Sequence, residues 1–307
     1  MSHNNYAPIA LFVYARPSHV RLTVDSLLGN PGAESSDLII FSDAARSSDK
    51  KRDVEEVRAY IKTIVGFRTV TIHHRPYNFG LANSIIQGVT EILKAHESVI
   101  VLEDDMRTSP HFLTYMNDAL VKFVNDDRVA SVHGYVYPVK QQLPEAFFLR
   151  GADCWGWATW RRAWAHFNPN GQFLLDELKR RQLTKAFDFN GAYSFSKMLE
   201  DQIKGSNDSW AVRWHASAFL ADMLTLYPGR SLVHNIGNDN SGTHCGDNTS
   251  HDAELSVTPI DLKTLEVTSS AQGRAAFEAF FRKTHGTFVR RLGRRIKKIL
   301  PRRLHEH

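Results

Sequence analysis

Residues 98–106 read SVIVLEDDM. The apolar, partly β-branched run Val99–Leu102 has the length and composition of a strand buried on both faces. Glu103, Asp104 and Asp105 follow it directly. Three consecutive carboxylates at a strand end repel one another and cost stability unless a cation meets them, and a divalent ion with oxygen ligands answers that need. Mg²⁺ or Mn²⁺, held by one or two carboxylates while keeping waters, can bridge a diphosphate and stabilise it as a leaving group. The same triplet also reads as an acidic loop leading into the next helix, where Asp is common.

Upstream, the pattern alternates. Ile9–Tyr14 (IALFVY) reads as a buried strand ended by Arg16-Pro17, and Ser18 reads as the N-cap of a helix with Val20, Val24, Leu27 and Leu28 at helical spacing before Gly29-Asn30-Pro31-Gly32 stops it. Strands follow at Asp37–Phe41 and Arg68–His73, with helices around Asp49–Val65 and Leu81–Ala95. Strands alternating with helices predict an α/β fold with a mostly parallel, doubly wound central sheet. Ligands of such sheets bind outside the carboxyl ends of the strands, where Arg16, Asp43, Asn78 and the acidic triplet fall.

Downstream the pattern is less regular: a helix at about Pro110–Val124, a strand at Val129–His133, the aromatic stretch Trp155–Trp164, helices near Leu174–Phe187 and Tyr193–Lys204, then Trp210–Leu226. Four of the six tryptophans, Trp155, Trp157, Trp160 and Trp164, fall in one block. Trp157, Trp160 and Trp164 recur at helical spacing, which reads first as core. One or two of the four could stack on a sugar ring, with Gly156 allowing close approach.

The composition narrows the classes. A chain of 307 residues with 42% hydrophobic content can bury a large core, and disorder is excluded as a default. No run of about 18 apolar residues occurs, and Met1–Pro8 lacks the features of a secretory signal, so a cytoplasmic protein is expected. Two cysteines, Cys154 and Cys245, form neither a disulfide framework nor a zinc pattern and read as reduced thiols. Ten Lys and Arg lie between Arg282 and Arg303 with no Asp or Glu, which leaves 28 basic against 33 acidic residues elsewhere. The basicity is a property of the tail, which argues against a globally basic nucleic-acid binder. Val289, Leu292, Ile296, Ile299 and Leu300 alternate there with basic residues as in an amphipathic helix. Residues 287–303 are therefore expected to lie on an anionic membrane surface; RNA binding and a solvated helix are the alternatives.

The segments PIALFVYARPSHVRLTVDSL, IIFSDAARS, RPYNFGLANSI, VIVLEDDM, CWGWATWRRAW, DSWAVRW and LVHNIGNDNSGTH occur in one order from Pro8 to His244. Together they resemble the GT-A glycosyltransferases, and more narrowly a bacterial polysaccharide-cluster family distantly similar to the N-acetylglucosaminyltransferase I group. The resemblance implies a metal-dependent, inverting transfer of a hexosyl or N-acetylhexosaminyl group in surface polysaccharide biosynthesis. The donor is a nucleotide-diphosphate sugar, UDP-linked, and the acceptor a glycan or lipid-linked glycan. Residues 1–105 would form the nucleotide-sugar-binding half and 106–260 the acceptor-binding and catalytic half of the same unit, with 261–307 as a basic helical tail.

Roles follow by position. Arg16 resembles the residue that contacts the donor's base and ribose, although a surface pair with Asp25 is the alternative. Asp43 is placed to accept the imide N–H of a uracil or thymine ring. Asn78, Gly80 and Asn83 match the loop and helix start that lie against the nucleotide. The pattern makes Asp105 the direct metal ligand, with Asp104 and Glu103 supporting the ribose and the metal shell. Asp208 matches the acidic position of the base that takes the acceptor's proton, against an alternative as a helix N-cap; Asp201, beside Glu200, is the second candidate. His244 matches the late histidine that completes the metal or diphosphate site, in a Gly- and Asn-rich lid with Asp239 and Asn240.

Two other functions compete. A nucleotidyltransferase that makes the activated sugar would show a Gly-rich loop after the first strand, and ARPSHVR has none. A non-catalytic glycan- or membrane-binding relative would not need Glu103, Asp104, Asp105, Asp208 and His244 together.

Overall fold

The computed structural model describes residues 6–239 and 249–284. His244, Asn240, Cys245 and residues 287–303 lie outside the described residues. Strand β1 (Ile9–Val13), with all five residues buried, feeds α1 (Pro17–Leu28), whose rigid Pro17 suits a first helical turn. The next two units repeat the pattern: β2 (Asp37–Ser42) and α2 (Lys51–Ile61), then β3 (Thr69–His74) and α3 (Leu81–Ala95). Strand β4 (Ser98–Glu103) has four buried residues in a row before its carboxylates. These elements match the sequence pattern to within a few residues at their ends, because each carries its own apolar run or face.

The second half contains β5 (Met106–Thr108), α4 (Phe112–Lys122), β6 (Val129–His133), β7 (Ala146–Arg150) and β8 (Trp157–Trp160). Short α5 (Arg161–Trp164), α6 (Gly171–Arg180), α7 (Thr184–Phe187), α8 (Phe195–Ile203) and α9 (Trp210–Leu220) follow. Then come β9 (Leu224–Pro228), β10 (Val233–Asn235) and, last among the described residues, helix α10 at residues 271–284.

Eight strands form one sheet in the order β3-β2-β1-β4-β8-β6-β9-β7. β1 to β4 are parallel; β8 is antiparallel to both β4 and β6, and β9 runs parallel to β6. Only β8 and β7 therefore run against the rest, and the central sheet is mostly parallel as the sequence pattern predicts. The chain winds outward from β1 to β3 and returns to place β4 on the other side of β1. The carboxyl ends of β1 and β4 thus flank the switch point, the position where such sheets open a crevice. No helix among the described residues is long and apolar enough to cross a membrane.

The tryptophan block is not one helical face. Trp157 and Trp160 lie on β8, paired with Val101 and Ser98 of β4, and three residues apart on a strand point to opposite faces. Trp157 packs on Trp210 and Trp214 of α9, at ring-centroid distances of 5.4 and 6.2 Å. Trp160 goes the other way and donates from Nε1 to the Leu120 carbonyl of α4. The aromatic and Thr content of WATW suits a pleated surface, and the gap between β4 and β6 supplies one. All three are buried, as a core reading requires; Trp155 alone of the block stays half-exposed. The segment Trp210–Leu226 divides into α9 and β9, with Asp222 at φ 58° making the break. Helix α10 buries Phe277, Phe280 and Phe281 in a cluster with Phe147, Leu149 and Tyr227.

Candidate functional site

The geometry starts from β1 and β4, neighbours in the sheet, whose ends deliver Arg16 and the acidic triplet to one corner. Arg16 Nη2 donates to Asp104 Oδ1 and, at 2.8 Å, to Asp105 Oδ2. The backbone N–H of Tyr14 donates to the other oxygen of Asp104 at 3.2 Å, and Thr23 Oγ1 donates to the Asp104 carbonyl at 2.9 Å. Asp104 and Asp105 are buried, at 3% and 5% exposure, and share one guanidinium, while half-buried Glu103 adds a third carboxyl group beside them.

The protonation equilibria record that shortage of positive charge. Burial, then the charges of Asp105 and Asp104, push the Glu103 carboxyl up to about 8. Burial also raises Asp105, against the pull of Arg16. Burial on its own would lower Arg16, but Asp104 and Asp105 outweigh it and hold the guanidinium above its ordinary value.

Among the described residues no three His, Cys, Asp or Glu side chains form a ready metal cluster. The carboxylates close on Arg16 instead. Yet Asp105 Oδ1 is buried with no hydrogen-bond partner among the described residues, and a buried anionic oxygen left unsatisfied is costly. That orphan oxygen, on a hard oxygen donor set, fits a Mg²⁺ or Mn²⁺ ion held by one or two carboxylates.

Asp43 ends β2 and is spent internally. Its Oδ1 accepts from the N–H of Ala44 (2.9 Å) and Phe79 (2.8 Å); its Oδ2 accepts from the N–H of Gly80 (3.0 Å) and from Asn78 Nδ2 (3.1 Å). A carboxylate offers about four acceptor positions, and the chain itself uses four. Asp43 therefore fixes the loop 78–80 at the start of α3, and no acceptor position is left over for a base. Asn78 also donates to the Ala44 carbonyl at 2.7 Å, and exposed Asn83 donates to the Phe79 carbonyl at 3.0 Å. Gly80, with φ 72° and ψ 157°, holds a conformation that is essentially glycine's alone.

Asp208 sits across from this loop: a Cβ on Gly80 would stand 4.0 Å from Asp208 Oδ2. It does not cap α9, because Ser209 does, accepting from the Val212 N–H at 3.2 Å. The Asp208 side chain is 64% exposed, with Arg213 Nη2 3.6 Å away. Asp201 instead pairs with Lys197 one turn back on α8.

A strap closes the acidic corner. β10 pairs antiparallel with β5, and the Ile236 N–H donates to the Asp105 carbonyl at 2.9 Å. Gly237 then passes so close that a Cβ there would overlap the Asp105 carboxylate and stand 2.9 Å from Arg16 Nη1. Two residues on, Asp239 Oδ2 lies 3.2 Å from His19 Nε2 of α1.

The structure thus brings Arg16, Asp104 and Asp105 together with Glu103, and brings Asp43, Asn78, Gly80 and Asp208 together in a second group. His244 lies outside the described residues. Sequence reasoning missed Tyr14 and Thr23 and gave Gly237, in the Gly- and Asn-rich lid, no contact with Asp105. Gly237 carried a signal, since a glycine inside an otherwise regular polar segment often marks close backbone approach.

No family model matches the chain, and no curated protein does. Solved structures resemble it weakly. One is a mannosyltransferase from Pyrobaculum calidifontis in complex with GDP-Man and Mn²⁺, at 16% identity over 44% of this chain and 37% of that one, TM-score 0.32. A second is S. aureus TarS 1-349, at 12% identity over 57% and 49%, TM-score 0.31. A third is a mannose-1-phosphate geranyltransferase from Thermus thermophilus, at 15% identity over 76% and 77%, TM-score 0.36. The chain spans less than half the length of the first two. Likenesses of this size carry no functional argument, and the α/β assignment rests on the strand order above.

Proposed function

We propose that this chain is a GT-A type glycosyltransferase that moves a sugar from a nucleotide-diphosphate sugar, UDP-linked, to a glycan or lipid-linked acceptor. The observation that carries the reading is the corner of buried Asp104 and Asp105 and half-buried Glu103 at the switch point, with one guanidinium for three carboxyl groups and Asp105 Oδ1 unpartnered among the described residues. Asp105, supported by Asp104 and Glu103, would hold Mn²⁺ or Mg²⁺, with His244 as a further ligand. When bound, that ion supplies charge stabilisation to a departing diphosphate.

The chain's own groups do the rest. Arg16 orients Asp104 and Asp105 and faces the donor from the end of β1. Asp43 holds Asn78, Phe79 and Gly80 in the shape that lets the start of α3 lie against the nucleotide, and Asn83 braces it. Asp208, exposed and beside that loop, takes the proton of the acceptor hydroxyl as it attacks the anomeric carbon with inversion. Residues 1–105 then serve the donor, 106–260 the acceptor, and 287–303 hold the enzyme on an anionic membrane in surface polysaccharide biosynthesis.

The test is a thermal-shift screen of UDP-, dTDP- and GDP-sugars with and without Mn²⁺, since a ligand that binds only the folded state raises its apparent stability. A Mn²⁺-dependent shift with one nucleotide class is expected, and Asp105→Asn removes it. Asp208→Asn keeps donor binding and lowers transfer by about 10²–10⁴-fold. No shift with any nucleotide sugar, or an Asp105→Asn protein that binds as before, refutes the reading. Deleting residues 287–307 is expected to release the protein from anionic vesicles while transfer to a soluble acceptor continues; continued co-sedimentation rejects the membrane role.

A further inference from the structure

Asp153 lies in the stretch between β7 and β8, two residues before Trp155. No Lys or Arg among the described residues lies within ion-pair distance of it; the basic side chain at that range is His133, 3.9 Å away. His133 Nε2 accepts from the Trp155 N–H at 2.9 Å, so that nitrogen has no proton to offer. Burial also lowers the His133 pKa, which keeps the ring neutral. Asp153 Oδ1 is fixed by the Cys154 N–H at 2.9 Å. Its Oδ2 meets the Tyr227 hydroxyl at 3.5 Å, well beyond the usual length of such a bond, and the Cys154 thiol, a weak donor, also bonds the carboxylate.

This carboxylate sits in a recess of rings. Trp155, half-exposed, packs edge-to-face with Tyr135 at 4.7 Å and with His251 at 5.9 Å, and Tyr135 packs on Tyr137 at 5.3 Å. Burial, and next the charge of Asp153, raises the Tyr137, Tyr193 and Tyr227 phenols, and Tyr193 packs on Phe195 and Phe281 while Tyr137 and Tyr227 pack on Phe277. The side chain of Asp153 remains 22% exposed, so the recess opens to solvent.

The recess borders the acidic corner. Trp157 pairs with Val101, two residues before Glu103, and the Cys154 thiol is raised by burial and then by the charges of Asp153, Glu103 and Asp105. Asp153 is thus a positioned anion with spare acceptor capacity, set among aromatic faces and phenols beside the proposed donor site. A pyranose ring meets both halves of that chemistry: its C–H face packs on an aromatic ring, and two neighbouring hydroxyls donate to one carboxylate.

We propose that Asp153 binds the acceptor sugar through a pair of its hydroxyls, with Trp155 as the ring platform. The inference rests on the glycosyltransferase reading for its word acceptor, while sugar binding at Asp153 is testable without it. The experiment measures, on the full chain, the binding of methyl pyranosides of glucose, galactose, mannose, rhamnose and N-acetylglucosamine by saturation-transfer NMR, and the binding of UDP with Mn²⁺ by calorimetry. Asn at position 153 keeps an oxygen for the Cys154 N–H, so Asp153→Asn is expected to fold and to bind UDP as the wild type does. It should lose about tenfold or more in glycoside affinity, the effect of one charge-assisted hydrogen bond. Trp155→Leu provides an independent variant with the same expected loss. Wild-type protein that binds none of the glycosides, or variants that bind them unchanged, overturns the proposal. Absence of UDP binding to the wild type overturns the glycosyltransferase reading instead, and the two failures are read on separate instruments.

Discussion

Replacing Arg16 with methionine removes the one guanidinium that Asp104 and Asp105 share. The side-chain exposures, 19% for Arg16, 5% for Asp104 and 6% for Asp105, keep the group largely out of water. Removing one partner of a buried ion pair costs about 3–5 kcal/mol, because the remaining charge stays buried without compensation. The partial exposure of Arg16 puts the expected loss at the lower end, about 3 kcal/mol. At about 2–4 °C per kcal/mol, Tm in EDTA should fall by about 6–12 °C. The same substitution frees Asp105 Oδ2, which Arg16 engages at 2.8 Å, so Mn²⁺ no longer competes with the guanidinium. A ligand present at 100 times its Kd adds about 2.7 kcal/mol to the folded state, and a tighter Kd adds more at the same concentration. Mn²⁺ at one fixed concentration should therefore raise Tm by more in Arg16→Met than in the wild type. Thermal melts in EDTA and in Mn²⁺, with calorimetric Kd values for both proteins, check this. A variant that melts with the wild type in EDTA, or that gains no more from Mn²⁺, refutes the claim that guanidinium and divalent ion contend for one carboxylate.

Gly237→Ala places a Cβ on the Asp105 carboxylate, so the strap must back away; a stability loss of about 1–3 kcal/mol and at least roughly tenfold weaker Mn²⁺ binding are expected in urea melts and calorimetry. Asp43→Asn leaves two of the four internal bonds and turns an amide NH₂ toward the Gly80 N–H and Asn78 Nδ2; a cost of about 1–3 kcal/mol with weaker nucleotide binding is expected, and unchanged values would return Asp43 to a direct contact with the base. Burial holds His215 at about 4, against an ordinary value of 6.5. Between those pH values the unfolded chain binds a proton that the folded chain does not, so stability falls as pH drops from about 6.5 to about 4 and is unaffected by this group above 6.5. The loss is at most about 3 kcal/mol at 1.36 kcal/mol per pH unit, and His215→Asn should flatten that limb in urea melts taken across the window.

The reading of the first 105 residues from sequence was close because each element there declares itself locally. Val99–Leu102 is apolar throughout and mostly β-branched, Leu81–Ala95 keeps one apolar face, and Val20, Val24 and Leu27 recur at helical spacing, although that helix begins at Pro17 with Arg16 at the cap position and Ser18 inside its first turn. The second half was harder. Trp157–Trp160 satisfies a helical period by count, but its four residues are held as a strand because β4 and β6 leave a gap that only an extended segment with open N–H and C=O groups can fill. The strand Ala146–Arg150 was passed over although AFFLR is a short apolar run, and its pairing with β9 across 70 or more residues leaves no local trace.

What the amino-acid order determined by itself was the alternating α/β pattern, the mostly parallel sheet, and the place of the carboxylate triplet at a strand end. Those are properties of short windows, governed by burial period and by repulsion between adjacent charges. Tertiary structure alone decided how each polar atom is used: Arg16 on Asp104 and Asp105 rather than Asp25, Asp43 consumed by the 78–80 loop, Ser209 rather than Asp208 as the cap, and Gly237 pressed on Asp105. A polar side chain takes whichever partner the folded chain holds within about 3 Å, and partners separated by dozens of residues become neighbours only when the sheet brings strand ends to one edge.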